Sequence, residues 1–247
     1  MGTSAAYSAP PSWGDLKSAV TIAAGGGMLA AEKAAELISS FVRHNGGATA
    51  IARGGRDSGD GAGAGSVARG GNARTTATRL GGFLSDVGRL GLDGALEAAG
   101  WGDLVGKPVR EVLNALLDRL GGESSTIDDV DARMALAALE KEYFEGAETI
   151  EDLQQLMLAQ VGQLETVLQD FFGLYLYEVF CRVFFERLVQ RTGEARAFSV
   201  LDQIKDFIRA KLENLAVNQE VSKIDWKGQE GQKITADIME STLRVFQ

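Results

Sequence analysis

The sequence is poorest in the residues that most often carry enzyme chemistry, with one histidine and one cysteine among 247 residues. His44 and Cys181 are far apart in the sequence, and together they are too few to form a histidine–cysteine zinc site. A Ser-His-Asp triad would have to use His44, which adjoins a glycine-rich segment. A single cysteine also excludes an intrachain disulfide, which favours a cytoplasmic protein. We therefore predict that the chain is not an enzyme by itself and holds no metal.

Positive charge and long apolar runs are also scarce. The chain has 25 lysines and arginines against 34 acidic residues, a net charge of −9. This charge disfavours a general affinity for nucleic acid or anionic membranes. No apolar run reaches the roughly 20 residues that span a bilayer. The best candidate, 171–185, contains Glu178 and Arg182. The start of the chain also lacks the pattern of a secretory signal peptide.

The residues that are present favour helices along most of the chain. Apolar residues recur at helical spacing, and no segment shows the alternation that is typical of a strand. We therefore predict an all-α, multi-helix bundle with a flexible N-terminal tail and a Gly/Arg-rich linker. The helices are expected at 13–24, 28–43, 75–87, 92–99, 108–120, 128–144, 150–191, 199–221 and 230–246.

The longest predicted helix, 150–191, carries the most apolar part of the chain. Thr149 and Asp152 have the spacing of a capping box at its start, and Gly173 is a candidate kink. Its aromatic run from 171 to 185 is apolar almost all round, which predicts a central, buried helix. Glu178 and Arg182 are spaced i, i+4 and are expected to form an ion pair at the edge of the core.

Glycine is concentrated between the second and third predicted helices. Residues 46–71 are mostly Gly, Ala, Ser, Arg and Asp, too polar to offset the entropy of ordering them. The predicted organisation is a flexible tail at 1–12, a helical segment at 13–44, a flexible linker at 45–73 and a helical domain at 74–247.

The arginines near this linker leave a second interpretation open, in which they contact nucleic acid. The candidate contacts are Arg53, Arg69, Arg74 and Arg79. No aromatic residue lies between Phe41 and Phe83 to stack on bases, so the linker interpretation is favoured.

The first twelve residues are small and polar and end in Pro10-Pro11-Ser12, which predicts a flexible tail. Removal of the initiator methionine is expected before a small residue, so the mature chain would begin at Gly2. An α-amino group titrates near about pH 7.7–8.0, so a useful fraction is neutral and nucleophilic at neutral pH. Myristoylation is disfavoured because Ala6 stands where Ser or Thr is required. The tail alone fits either a frayed terminus or a reactive amine.

Several motifs, taken in order, resemble the QatB family. The chain opens with Met1-Gly2-Thr3-Ser4, and residues 70–82 form a Gly/Arg segment with the core Thr76-Ala77-Thr78-Arg79. Residues 91–96 resemble the family's short helix. Residues 205–209 and the last amphipathic helix resemble its C-terminal region.

The resemblance implies a protein of four-gene Qat anti-phage defence systems, with QatC, a QueC-like enzyme, as its partner. Such an enzyme would use ATP and 7-carboxy-7-deazaguanine, with zinc as a further candidate cofactor of the partner. An adenylated carboxylate could then be attacked by the amine of Gly2, while Thr3 and Ser4 contact the partner's pocket. An ATPase (QatA) and a TatD-like nuclease (QatD) are further candidate partners.

Two alternatives to this acceptor role stay open. One is a non-catalytic helical adaptor that holds the defence complex together without being modified. The other is a nucleic-acid sensor that uses the arginines between 43 and 89.

Overall fold

The computed structural model describes residues 13–53, 68–122, 127–215, 221 and 224–247. Within these ranges the chain forms ten α-helices and one 3₁₀ turn, Gly102–Leu104, and no strand, which confirms the predicted all-α class. The helices are α1 (Trp13–Gly25), α2 (Ala31–His44), α3 (Gly47–Arg53), α4 (Gly71–Ala98), α5 (Val109–Gly121), α6 (Ile127–Phe144), α7 (Ile150–Val161), α8 (Leu164–Thr192), α9 (Glu194–Leu212) and α10 (Gln229–Arg244).

Helix α8 is the centre of the bundle, as its apolar sequence predicts. It contacts α1, α4, α6, α7, α9 and α10. Five of its aromatic side chains are almost fully buried: Phe171, Phe172, Tyr175, Phe180 and Phe184. A helix that is apolar on most of its sides needs neighbours on most of its sides, which is the arrangement found here.

Residues 13–44 share this core with the rest of the chain. The Phe41 ring of α2 lies 5.4 Å from Phe180 and 5.9 Å from Phe184 between ring centroids. Trp13 of α1 packs on Phe184 and on His44, the last residue of α2. The imidazole therefore stands at a helix C-terminus, as expected from the sequence, and is covered by an indole.

The predicted linker at 45–73 is too long at both ends. Residues 47–53 form α3, which buries Ala48, Ile51 and Ala52, and residues 71–73 belong to α4. Three small or branched apolar residues on one helix face are enough to seat so short a helix against its neighbours. Residues 54–67 of the predicted linker lie outside the described residues.

The prediction of one helix over 150–191 with a kink at Gly173 is wrong. The chain breaks at Gly162 and Gln163, between α7 and α8, and Gly173 lies within α8. A Cβ atom at Gly173 would come 2.4 Å from Leu212 Cδ1 of α9, so this glycine permits close packing of two helices.

The expected capping box at the start of α7 is confirmed. Thr149 Oγ1 accepts a hydrogen bond from the Asp152 N–H (3.1 Å), and Asp152 Oδ2 accepts one from the Thr149 N–H (3.0 Å). The two side chains satisfy backbone donors that the first helical turn leaves without intrahelical partners.

Helix α9 begins and ends earlier than the predicted 199–221. It starts after Gly193, whose φ of 80° only glycine adopts without strain, and ends at Leu212. Ser199 is inside the helix, where its Oγ accepts a hydrogen bond from Gln203 Nε2 (3.0 Å). Ser199 and Asp202 have the spacing of a helix cap, but the helix does not start there.

Helix α4 consists of two helical parts joined at Gly91. These parts correspond to the two separate helices predicted at 75–87 and 92–99. Gly91 has a φ of 72° and a ψ of 175°, which interrupts the helical backbone. The Leu92 N–H that the break exposes donates to Gln154 Oε1 of α7 (2.9 Å). Among the helices of the described ranges, none is long and apolar enough to cross a bilayer.

Candidate functional site

Three of the predicted site residues, Gly2, Thr3 and Ser4, lie outside the described residues. Ser12, the last residue of the predicted tail, also lies outside them. The four arginines proposed as nucleic-acid contacts are all described, and they fall into different environments.

Arg53 of α3 takes part in an ion-pair network with α10. Its Nε donates to Glu240 Oε2 of α10 (2.5 Å), and its Nη2 donates to Asp237. Thr49 Oγ1 also donates to Glu240. The hydrogen bond from Arg53 is the main reason that the pKa of Glu240 is lowered from its ordinary value. Arg53 therefore fastens α3 to α10.

Arg74 and Arg79 lie on one face of the first three turns of α4, while Arg69 is exposed just before the helix. Residues three or four apart are neighbours on a helix surface, so Thr78 lies beside Arg74, and Thr75 and Gly82 lie beside Arg79. This face forms one wall of a cleft of about 520 Å³. Thr78 and Arg79 of the Thr-Ala-Thr-Arg core thus line a concave surface, whereas Thr76 and Ala77 of the same core are buried.

The rest of the lining comes from segments far away in the sequence. Trp101 and Leu120 come from the chain between the end of α4 and the end of α5, and Trp226, Lys227 and Gln232 come from the turn at 225–228 and the start of α10. Trp101 packs on Phe83 of α4 with 5.5 Å between ring centroids, and the Arg119 guanidinium lies 5.7 Å from the Trp101 ring centroid. Arg119 itself is held by both oxygens of Asp103. One end of the cleft is therefore aromatic and fixed in place.

Trp226 is held against α4 by two glycines. A Cβ at Gly81 would lie 2.4 Å from Trp226 Cζ3, and one at Gly82 would lie 3.1 Å from its Cβ. The indole is carried by a turn at 225–228. Its Lys227 N–H donates to Asp225 Oδ1 (3.1 Å), a short polar side chain bonding two residues on.

The indole of Trp226 is 5% exposed, and its Nε1–H has no hydrogen-bond acceptor within the described part of the chain. The Cε3 edge of the ring faces Gly81, so Nε1 lies on the edge turned away from it. A buried donor without an acceptor costs about 1–3 kcal/mol.

The cleft carries positive charge in a chain whose net charge is −9. Three cations line it, Arg74, Arg79 and Lys227, against one carboxylate, Asp86. Asp86 accepts from Arg89 (2.7 Å), and its other oxygen lies 4.0 Å from Lys227 Nζ. Cations that line a concave surface concentrate positive potential there, which favours an anionic ligand.

Cys181, the one cysteine of the chain, lies outside the cleft. Burial raises the pKa of Cys181 to about 12, so its thiol stays protonated at neutral pH and is a poor nucleophile. Among the residues that the structure describes, no three His, Cys, Asp or Glu side chains are placed to hold a metal ion.

The predicted ion pair of Glu178 with Arg182 is replaced by a different one. Arg182 of α8 donates to both carboxylate oxygens of Asp131 on α6, at 2.9 Å from Nε to each. The buried carboxylate of Asp131 lies across the helix interface, so it offers Arg182 a bidentate geometry that a neighbour on the same helix does not. Burial raises the pKa of Glu178 above its ordinary value.

The family comparison covers the whole cleft. The family model described as "Qat anti-phage system associated protein QatB" matches residues 61–246, three quarters of the chain. This chain belongs to the QatB family. It is therefore a component of a Qat anti-phage system and is associated with other Qat components. No curated protein and no solved structure gives a match to the chain.

The matched range of this QatB protein contains the cleft but not the N-terminal tail. Every residue that lines the cleft falls within the matched range, whereas Gly2, Thr3, Ser4 and Arg53 precede it. The sequence pointed to Arg74 and Arg79 as candidate contacts but not to Trp101, Trp226 or Lys227. No sequence spacing connects these residues, because their contact depends on tertiary packing.

Proposed function

We propose that this QatB protein is the acceptor in a nucleobase-to-protein conjugation, in which a QueC-like partner, QatC, joins a 7-deazaguanine to the amine of Gly2. Membership of the QatB family over residues 61–246 is the observation that carries the proposal. The chemistry of the N-terminal amine supports it, because that amine is more often neutral at pH 7 than any lysine amine.

The proposed reaction has two steps on the partner enzyme. The carboxylate of 7-carboxy-7-deazaguanine attacks the α-phosphorus of ATP, which releases pyrophosphate and leaves an acyl adenylate. The neutral Gly2 nitrogen then attacks the acyl carbon, AMP leaves with the bonding electrons, and the nitrogen loses one proton. The product is an amide. A glycine has no Cβ to crowd the acyl carbon, and binding in a pocket would supply the proximity that the second step needs.

An exposed apolar stripe on α6 supports docking of a protein partner. Ile127, Val130 and Met134 follow one another at helical spacing, and they are 64%, 46% and 52% exposed. Exposed apolar groups that adjoin one another are typical of interaction sites. The same stripe favours the second candidate function, a helical adaptor that holds the Qat components together without being modified.

The proposal is tested by intact and N-terminal-peptide mass spectrometry. The protein is purified after expression with its Qat neighbours and, separately, without them. We expect an adduct on Gly2 only in the presence of the QueC-like neighbour and of its ATP-binding activity. A bare Gly2 in both samples, with the complex intact, would overturn the acceptor role and leave the adaptor.

Two substitutions to valine separate the amine from the rest of the tail. Gly2→Val adds bulk at the attacking nitrogen while keeping a second residue small enough for removal of Met1. Ala5→Val adds similar bulk three residues later. We expect Gly2→Val to abolish the adduct and phage defence but to spare co-purification with the partner, and Ala5→Val to have little effect. Equal defence by both variants would favour the adaptor.

A further inference from the structure

We propose that the cleft between α4 and the turn at 225–228 binds a free nucleotide, with the base against Trp101 and the phosphate between Arg79 and Lys227. This site is separate from the Gly2 amine, and it does not depend on the conjugation proposed above. Its residues all belong to the described part of the chain.

The phosphate end follows from the charges that line the cleft. Arg74 and Arg79 project from one helix face, and Lys227 approaches from the facing turn with 75% of its side chain exposed. A guanidinium presents paired N–H donors that match two phosphate oxygens, and an ammonium adds a point charge. The single carboxylate of the lining, Asp86, is already engaged by Arg89.

The base end follows from the aromatic groups. Trp101 is half-buried and is braced by Phe83 on one side and by the Arg119 guanidinium on another. A braced indole can stack on a planar ring without first losing conformational freedom.

The size and surroundings of the cleft favour a small ligand over a nucleic-acid strand. Its volume of about 520 Å³ falls within the range of small-molecule sites, roughly 300–1,000 Å³. A strand would extend beyond the cleft over a protein that carries a net charge of −9, and that charge would repel its phosphates. A mononucleotide keeps its charge within the basic wall.

The binding experiment uses the full chain expressed without its Qat neighbours, so that Gly2 carries no adduct. The four nucleoside monophosphates, the four nucleosides and inorganic phosphate are titrated by isothermal calorimetry, with tryptophan fluorescence as a second readout. We expect at least one nucleotide to bind about tenfold or more tightly than its nucleoside and than phosphate, because both ends of the cleft then contribute.

Three variants and a matched control assign the binding to this cleft. Arg79→Gln and Lys227→Gln are expected to weaken nucleotide binding about tenfold each while leaving nucleoside binding unchanged. Trp101→Ala is expected to weaken the binding of both the nucleotide and the nucleoside. Arg110→Gln on α5 removes an exposed arginine outside the cleft and is expected to change neither.

Three outcomes would overturn the proposal. The first is no nucleotide binding up to about 1 mM, the weakest affinity that a site of this kind would be expected to show. The second is an equal loss in Arg79→Gln and Arg110→Gln, which would indicate a diffuse charge effect. The third is a ten-residue oligonucleotide that binds about a hundredfold more tightly than any monomer, which would indicate a nucleic-acid surface instead. None of these outcomes would change the result of the mass spectrometry on Gly2, so the two proposals can fail separately.

Discussion

Three glycines lie where helices or turns come into close contact. Gly81 faces the Trp226 ring, Gly88 faces Val161 of α7, and Gly173 faces Leu212 of α9. A Cβ would come within 2.4, 2.7 and 2.4 Å of these neighbours. In a helix interior a glycine is disfavoured relative to alanine, so its presence at such positions indicates a packing requirement. At Gly81 that requirement also positions the indole that lines the cleft.

We expect Gly81→Ala to destabilise the protein by about 1–3 kcal/mol, because the rigid Trp226 ring must move to admit the new methyl group. The control is Gly162→Ala, at a glycine with an ordinary helical φ of −72° and no neighbour near its missing Cβ. Alanine there is expected to be neutral or to stabilise the fold by less than about 1 kcal/mol. Urea unfolding measures the stability of both variants. Equal stabilities of the two variants would contradict the contact between Gly81 and Trp226.

The half-buried carboxyl of Glu178 gives a pH-dependent prediction. Burial raises its pKa in the folded chain, so the stability associated with its protonated form is lost as pH rises through that pKa. Glu178→Gln resembles the protonated acid at every pH. We therefore expect the variant to be more stable than the parent at pH 7, by about 1 kcal/mol or less, and the difference to vanish near pH 4.

The measurement is the free energy of unfolding of both proteins from about pH 4 to pH 7. Glu145→Gln, at an exposed position after α6, changes the net charge by the same amount and serves as the control. The prediction fails if the two variants show the same pH profile, because the effect would then arise from net charge and not from burial.

At the scale of elements, side chains near the helix ends determine which segments pack. Thr149 and Asp152 close the start of α7, while Arg53, at the end of α3, and Glu240 join a seven-residue helix to α10. So short a helix is marginal alone, because forming the first turn fixes several residues for one hydrogen bond. Its contacts with α10 offset that cost.

Removal of the α7 cap is expected to lower stability. Thr149→Ala removes the acceptor of the Asp152 N–H and should destabilise the protein by about 1 kcal/mol, within the usual range of about 0.5–2 kcal/mol. Thr149→Ser keeps the hydroxyl and should lose little. Thermal unfolding of the two variants checks this. A similar loss for serine and alanine would mean that the methyl group, and not the hydrogen bond, matters.

At the scale of the whole molecule, one hydrophobic cluster extends from Leu16 to Phe246. The ring contacts of Phe41 with Phe180 and Phe184 join α2 to the centre of α8. Helix α10, at the other end of the chain, packs on α3, α4 and α8. Elements from the two ends of the sequence therefore cover the same central helix.

This arrangement predicts that residues 13–44 unfold together with α8. Phe41→Ala should lower the free energy of unfolding of residues 13–44 and of α8 by about 3–5 kcal/mol, because the substitution leaves a cavity among buried rings. Hydrogen exchange followed by mass spectrometry is expected to show the same loss of protection in α2 and α8, as in a single cooperative unit. The control Phe198→Ala, at a half-exposed ring of α9, should change either segment much less. Loss of protection confined to α2 would indicate a separately folding segment.

Local sequence patterns were sufficient for several features of the fold. The helical class, the burial of α8, the cap at Thr149 and the turn at Trp226 each depend on residues a few positions apart. Apolar periodicity, capping and turn chemistry act over that distance, so they are visible before the chain folds. The sequence also singled out Arg74 and Arg79, as candidate nucleic-acid contacts, but it did not place both on α4.

Tertiary packing alone decided the other features. It placed Arg53 on α10, paired Arg182 with Asp131 and brought Trp101, Trp226 and Lys227 to the face of α4 that carries Arg74 and Arg79. These contacts join residues from distant segments, and their energies depend on burial and geometry that exist only in the folded chain. A charged or aromatic residue has several possible partners in a sequence, and the packing of the helices around α8 selects among them.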